Sequence, residues 1–174
     1  KLGVNVWQLF VDWEEMVPAR WPNANFADGS VFDKTNHWAH GTSDNSGAFY
    51  DNGRLIDAGE VSNGHEGLVL SGINPIGTIA VLNVGTFKTW SRYVTGYDNT
   101  TGTIEYDEVP MWKKVHHDYF LEGQLELLDV PGEWFFDNEN TDIYFMPPPG
   151  TDPSDMNIRV KTMSYAFVST GGDN

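Results

Sequence analysis

Short runs of β-forming residues, each closed by a turn signal within about ten residues, are what most restrict the fold of this chain. Val4–Val11 is one such run, and Thr78–Val84 is a nearly continuous apolar one that reads as a strand buried on both faces. Tyr93–Tyr97 and Thr103–Tyr106 flank Asn99-Thr100-Thr101-Gly102 and predict a hairpin. Glu133–Phe136 and Ile143–Met146 flank the acidic stretch Asp137–Asp142 and predict a second. Asn157–Thr162 alternates Ile158 and Val160 with Arg159 and Lys161, the pattern of a half-exposed strand. The 18 glycines and 9 prolines punctuate the whole chain and do not gather in one linker. No repeat of solenoid length is visible.

Helix signals are few. Leu121, Leu125 and Leu128 have helical spacing before Pro131-Gly132, which predicts a short helix over Leu121–Leu128. Asp33–His40 has room for a further turn. Phe26–Gly72 is glycine-rich and irregular, so long loops with one or two short strands are expected there. The expected fold is one all-β domain over residues 1–174, an antiparallel β-barrel or β-sandwich with one or two short helices and long loops.

Twenty-five acidic against 10 basic side chains give a net charge of −15, the opposite of a nucleic-acid footprint. The same charge repels anionic membranes and favours a monomer. The absence of cysteine removes disulfide scaffolds, thiolate metal sites and cysteine nucleophiles. No apolar run approaches the roughly 20 residues of a spanning helix. Phosphate-binding glycine loops and the G-x-S-x-G elbow are missing from the sequence. Lys1 is not an initiator methionine, so the chain reads as a processed or excised piece.

Several strings occur together: Trp7-Gln8-Leu9-Phe10-Val11-Asp12, Pro18-Ala19-Arg20-Trp21-Pro22-Asn23, Ala80-Val81-Leu82-Asn83-Val84-Gly85 and Thr89-Trp90-Ser91-Arg92. Leu128-Asp129-Val130-Pro131-Gly132-Glu133-Trp134 follows, with Ile143-Tyr144-Phe145-Met146-Pro147-Pro148 behind it. From Trp7 to about Val168 the chain resembles the β-rich domain inserted in secreted right-handed parallel β-helix proteins of the pectate-lyase-like superfamily. Many of these are glycoside hydrolases or polysaccharide lyases. The resemblance implies an extracellular or periplasmic setting and a parent β-helix domain as partner, with residues 160–174 re-entering a helical coil. It also implies a polysaccharide groove that this domain flanks, with the catalytic carboxylates on the parent.

Each chemically suggestive residue has a functional and a structural reading. Arg20 can meet a carboxylate or close a buried ion pair. Trp21, Trp38 and Trp90 can stack on sugar rings or fill the core. Arg92 can contact a glycan or stack on Trp90. His117 beside Asp118, and Glu122, are the candidate acid/base groups. Asp33, His37 and His40 have the composition of a zinc site. Glu133 and Asp137 lie about 13 Å apart on an extended strand, too far for a glycosidase pair. Asp137–Asp142 has the polarity of a calcium loop without its glycine and distal glutamate, so a plain hairpin turn with at most an adventitious cation is expected. No cofactor is expected. Three functions remain open: an accessory domain walling the groove of a parent, a domain lending one catalytic group to the parent, and a carbohydrate-binding module using exposed aromatic rings.

Overall fold

The computed structural model describes residues 5–41, 50–51, 53–59, 66–85, 88–110, 117–163 and 165. Within them the chain is all-β, and its strands form two curled sheets. The smaller sheet contains β1 (Gln8–Val11), β2 (Glu14–Pro18), β11 (Glu133–Asp137), β12 (Asp142–Phe145) and β13 (Ile158–Lys161), in the order β12-β11-β2-β1-β13. The larger runs β3 (Arg20–Trp21), β10 (Asp118–Glu122), β7 (Ile79–Gly85), β8 (Lys88–Asp98), β9 (Thr103–Tyr106), β6 (Arg54–Ile56), β5 (Tyr50–Asp51). The two-residue β4 (Ala39–His40) adds to β10.

The predicted strands and both predicted hairpins are present, but β7 is not buried on both faces: Ala80, Leu82 and Val84 are buried while Ile79, Val81 and Asn83 on the opposite face are half-buried. Of Val4–Val11, Val4 lies outside the described residues and regular strand begins at Gln8. Leu9 and Val11 alternate inward there, the period-two pattern of a half-buried strand. A two-residue loop joins β1 to β2 with Asp12 and Trp13 both at positive φ, 48° and 75°, the backbone of a type I′ hairpin turn. A tryptophan there is unusual. It is held by the Arg159 guanidinium, 3.5 Å from the ring centroid, while Asp12 Oδ1 accepts from Asn157 N–H. The Asp137 carboxylate accepts from the N–H groups of Glu139 and Asn140, so the acidic stretch is a side-chain-capped turn.

Leu121–Leu128 is not a helix. Leu121 is a strand residue, buried and paired with Ala80 on one side and Trp21 on the other. Gly123, at φ 87°, ends that strand, and only Leu125–Leu127 makes a single 3-10 turn. Sheet pairing and burial of Leu121 outweigh the helical spacing of the leucines. The turn of helix for which Asp33–His40 has room is present as α1 at Lys34–His37, and a second short helix, α2, falls at Leu68–Ser71.

The sheets meet at Ala19. β2 pairs with β11 in parallel, Ala19 N–H donates to the Trp134 carbonyl, and the chain continues as β3 against β10 in the other sheet. One continuous segment thus belongs to both sheets, as at the corners of orthogonal sheet packings. Leu55, Leu82, Ile104, Tyr119 and Leu121 anchor the larger core, and Leu9, Val11 and Trp134 the smaller. β11 serves both, with Trp134 and Phe136 facing the smaller core and Phe135 the larger. The first and last described strands, β1 and β13, are antiparallel neighbours.

Candidate functional site

A cleft of about 680 Å³ opens where the two sheets diverge from the Ala19 corner. One wall belongs to the larger sheet. Glu122, Ile79 and Tyr93 are directly opposed across β10, β7 and β8, so their side chains form one row on the same face. Strand spacing puts Glu122 and Tyr93 about 10 Å apart. The other wall carries Trp7, Phe135, Phe136 and Asn138. Tyr93 is 66% exposed and Trp7 53%, whereas Glu122 is half-buried. Exposed aromatic rings beside a recessed carboxyl match what a sugar offers, apolar C–H faces edged by hydroxyl donors.

The row continues to Arg20, the cross-strand partner of Glu122 on β3. Arg20 is buried, and its guanidinium lies 3.8 Å from the Phe120 ring centroid. Trp38 packs edge-on against the same ring at 4.8 Å. Arg20 Nε donates to the Pro22 carbonyl at 3.0 Å and Nη2 to that of His37 at 2.8 Å. Burial brings the guanidinium pKa down to about 10, opposed by the charges of Glu122 and Glu133. Burial likewise raises Glu122, against the pull of Arg20.

Glu133 lies behind this row without any solvent exposure. It accepts from the N–H groups of Arg20 at 3.2 Å and Asp129 at 3.3 Å. Burial pushes its carboxyl up to about 7. A folded-state pKa above the free value of 4.5 stabilises the fold fully below pH 4.5, and that stability is lost as pH rises through about 7. The shift corresponds to about 3 kcal/mol. Glu133→Gln is therefore expected to gain up to about 3 kcal/mol relative to the parent chain between pH 4.5 and 8. Urea midpoints of both proteins across that range check this. A difference that does not change with pH means that Glu133 stays ionised.

Trp21, Trp38 and Trp90 are half-buried and Trp134 is buried; Trp21 and Trp90 pack on the larger core. Trp90 and Arg92 lie within β8, with the Arg92 guanidinium 6.0 Å from the Trp90 ring centroid and donating to the carbonyls of Ser91 and Glu108. Asp33 caps α1 by accepting from Asn36 N–H, and His37 Nδ1 lies 2.9 Å from the Asn23 carbonyl. His40 is drawn instead to β10, where its Nδ1 is 2.7 Å from Asp118 Oδ1. Among the described residues, the trio whose ligand atoms come together, within 4.8 Å, is thus His40, His117 and Asp118. Lys34 Nζ occupies Asp118 Oδ2 at 2.7 Å. Burial raises the Asp118 carboxyl, but Lys34 and His40 more than offset this and hold it below its ordinary value. In that cluster Asp118 is ion-paired with Lys34 and hydrogen-bonded to His40, and none of its residues lines the cleft. His116 lies outside the described residues.

Nothing in the sequence singles out Trp7 and Tyr93 as residues that line a cleft. Their exposure depends on the sheet edges that flank them. The alternation of exposed and covered positions along β8 is the one signal for Tyr93.

No family model matches the chain, and no curated protein matches it. A solved structure named "Glycoside hydrolase" matches with a TM-score of 0.54 at 17% identity. The match covers 89% of this chain and 26% of the other, so the chain spans about a quarter of that protein's length. At this identity the likeness is one of fold, and it sets the chain beside a domain-sized part of a glycoside hydrolase.

Proposed function

We propose that this chain is an accessory, glycan-contacting domain of a larger secreted carbohydrate-active protein, acting as a monomeric module beside the substrate groove. The observation that carries this reading is the row Glu122–Ile79–Tyr93 facing Trp7 across the inter-sheet cleft. A parent of the right-handed β-helix type fits the motifs Ala-Arg-Trp-Pro-Asn and Leu-Asp-Val-Pro-Gly-Glu-Trp. The glycoside hydrolase likeness, partial in that protein's length, is in keeping with a part of a longer enzyme. The pairing of β1 with β13 is the arrangement an inserted domain needs, because departure from a host and return to it occur at one place. No helix among the described residues is long and apolar enough to cross a membrane.

Among the cleft's described lining residues the one carboxyl is that of Glu122. Hydrolysis of a glycosidic bond by the usual mechanism needs two. A cleft presenting one carboxyl suits binding and orienting a sugar better than cleaving it unaided. Trp7→Ala with Tyr93→Ala is expected to weaken glycan binding about tenfold or more, as each exposed ring contributes roughly 1 kcal/mol. Titration calorimetry against a panel of oligosaccharides measures this. Failure of the native chain to retain any glycan counts against the reading.

A second reading follows from the raised pKa of the recessed Glu122. A carboxyl held toward its protonated form suits a general acid, and Glu122 would supply it to the parent's site. Full activity of the parent protein carrying Glu122→Gln excludes this.

A further inference from the structure

We infer that the inter-sheet cleft takes uncharged glycan chains and discriminates against chains bearing carboxylate or sulfate groups. The inference rests on the glycan-contacting reading above and adds the chemical class of the ligand.

Three observations support it. First, Glu122 is the one charged group among the described residues lining the cleft. A uronate or sulfate entering there meets an acidic side chain and no cation able to bind it. Second, the cation in the same row, Arg20, is spent on the fold. It lies buried under Phe120, donates to the carbonyls of Pro22 and His37, and offsets the charges of Glu122 and Glu133. No bidentate fork is turned outward for an anionic sugar. Third, the remaining walls are apolar or uncharged, chiefly Trp7, Ile79, Phe135 and Phe136, with Asn138 at the rim. Such walls strip water from a charged substituent of either sign without replacing its hydrogen bonds. They suit the C–H faces of a neutral ring, while Glu122 accepts from its hydroxyl groups. The net charge of −15 adds a long-range field that slows the approach of polyanions.

The test uses the full 174-residue chain. Calorimetric titrations are run with neutral hexasaccharides of glucose, xylose, mannose, galactose and arabinose, with hexagalacturonate, and with a chitosan hexamer, each at low and moderate salt. At least one neutral chain is expected to bind, with hexagalacturonate about tenfold weaker or worse at low salt and a narrower gap as salt rises. Asn138→Lys, which adds a cation at the cleft rim, is expected to narrow the gap by strengthening hexagalacturonate binding. Hexagalacturonate binding as tightly as the best neutral chain overturns the inference and leaves the glycan-contacting reading standing. Tighter binding of the chitosan hexamer than of any neutral chain overturns the uncharged assignment in the same way. Binding that Trp7→Ala and Tyr93→Ala leave unchanged places the sugar elsewhere and overturns the inference. If no sugar of any charge binds the natively folded chain, the glycan-contacting reading fails and this inference fails with it.

Discussion

Replacing Arg20 with methionine is expected to cost about 3–5 kcal/mol, the range found when one partner of a buried charge arrangement is removed. Methionine retains much of the side-chain volume over Phe120 but has no donors. The carbonyls of Pro22 and His37 then lose their N–H partners in a half-buried setting. Glu122 and Glu133 lose the nearby positive charge that favours their ionised forms. Their folded-state pKa values, already raised, rise further, so the stability they contribute at low pH is lost over a higher and wider pH range. The deficit is accordingly larger at pH 8 than at pH 5. Urea unfolding at both values, with Glu133→Gln as the second arm of a double-mutant cycle, separates the charge effect from lost packing. If Arg20 acts through charge, Glu133→Gln recovers part of the loss at pH 8 and little at pH 5. An equal loss at both pH values, unaffected by Glu133→Gln, makes Arg20 a packing residue only. Arg20→Lys does not restore the parent behaviour, because one ammonium lacks the planar fork that lies on Phe120 while reaching two carbonyls.

The strands were readable because their information is local. Ile104 and Tyr106 alternate with the polar Thr103 and Glu105, and alternation identifies a half-buried strand wherever it occurs. The hairpin at Asp137–Asp142 was readable for a similar reason: an Asx residue supplies its own turn through hydrogen bonds that span three positions. Leu121 shows where this stops. Its environment is made by Ala80 and Trp21, distant in sequence, and the spacing of nearby leucines says nothing about them. The site lay largely beyond reach for the same reason. Glu122 was a candidate as an isolated carboxyl, and Arg20 as a cation in an acidic chain. Their adjacency depends on the pairing of β3 with β10, and their juxtaposition with Tyr93 on two further strand pairings. Asp33, His37 and His40 are near in sequence and have the composition of a zinc site, whereas β4 turns His40 to Asp118 on another strand. A tryptophan's residue type suits both a sugar platform and a core, and so does not separate the buried Trp134 from the exposed Trp7.

Gly102→Ala is expected to destabilise the chain by about 4 kcal/mol or more, a loss confined to a few mechanisms of which forced steric displacement is one. Gly102 closes the β8–β9 turn at φ 69°, and a Cβ there would fall 1.8 Å from the Asp57 carbonyl oxygen. Backbone meets backbone at that point, so no rotamer change relieves the clash. The displaced group matters in its own right. Asp57 N–H donates to the Gly102 carbonyl, and the Asp57 carboxylate is buried, accepting from the Tyr119 hydroxyl at 2.8 Å and from Gly59 N–H. Tyr119 is wholly buried at the centre of the larger core, between the partners Leu82 and Ala39. Moving the turn therefore strains the seating of a buried carboxylate whose pKa burial already raises, and whose loss of partners adds an uncompensated desolvation cost. For a chain of this size, 4 kcal/mol lowers the melting temperature by roughly 8–16 °C. Gly150→Ala is the control. It has a similar φ of 81° but nothing within 4 Å of the new Cβ, so it bears the left-handed backbone cost of about 1 kcal/mol alone. Calorimetric melts of the two variants make the comparison. If Gly102→Ala melts no lower than Gly150→Ala, then the turn can leave Asp57 at little cost, and the Asp57–Tyr119 pair does not depend on it.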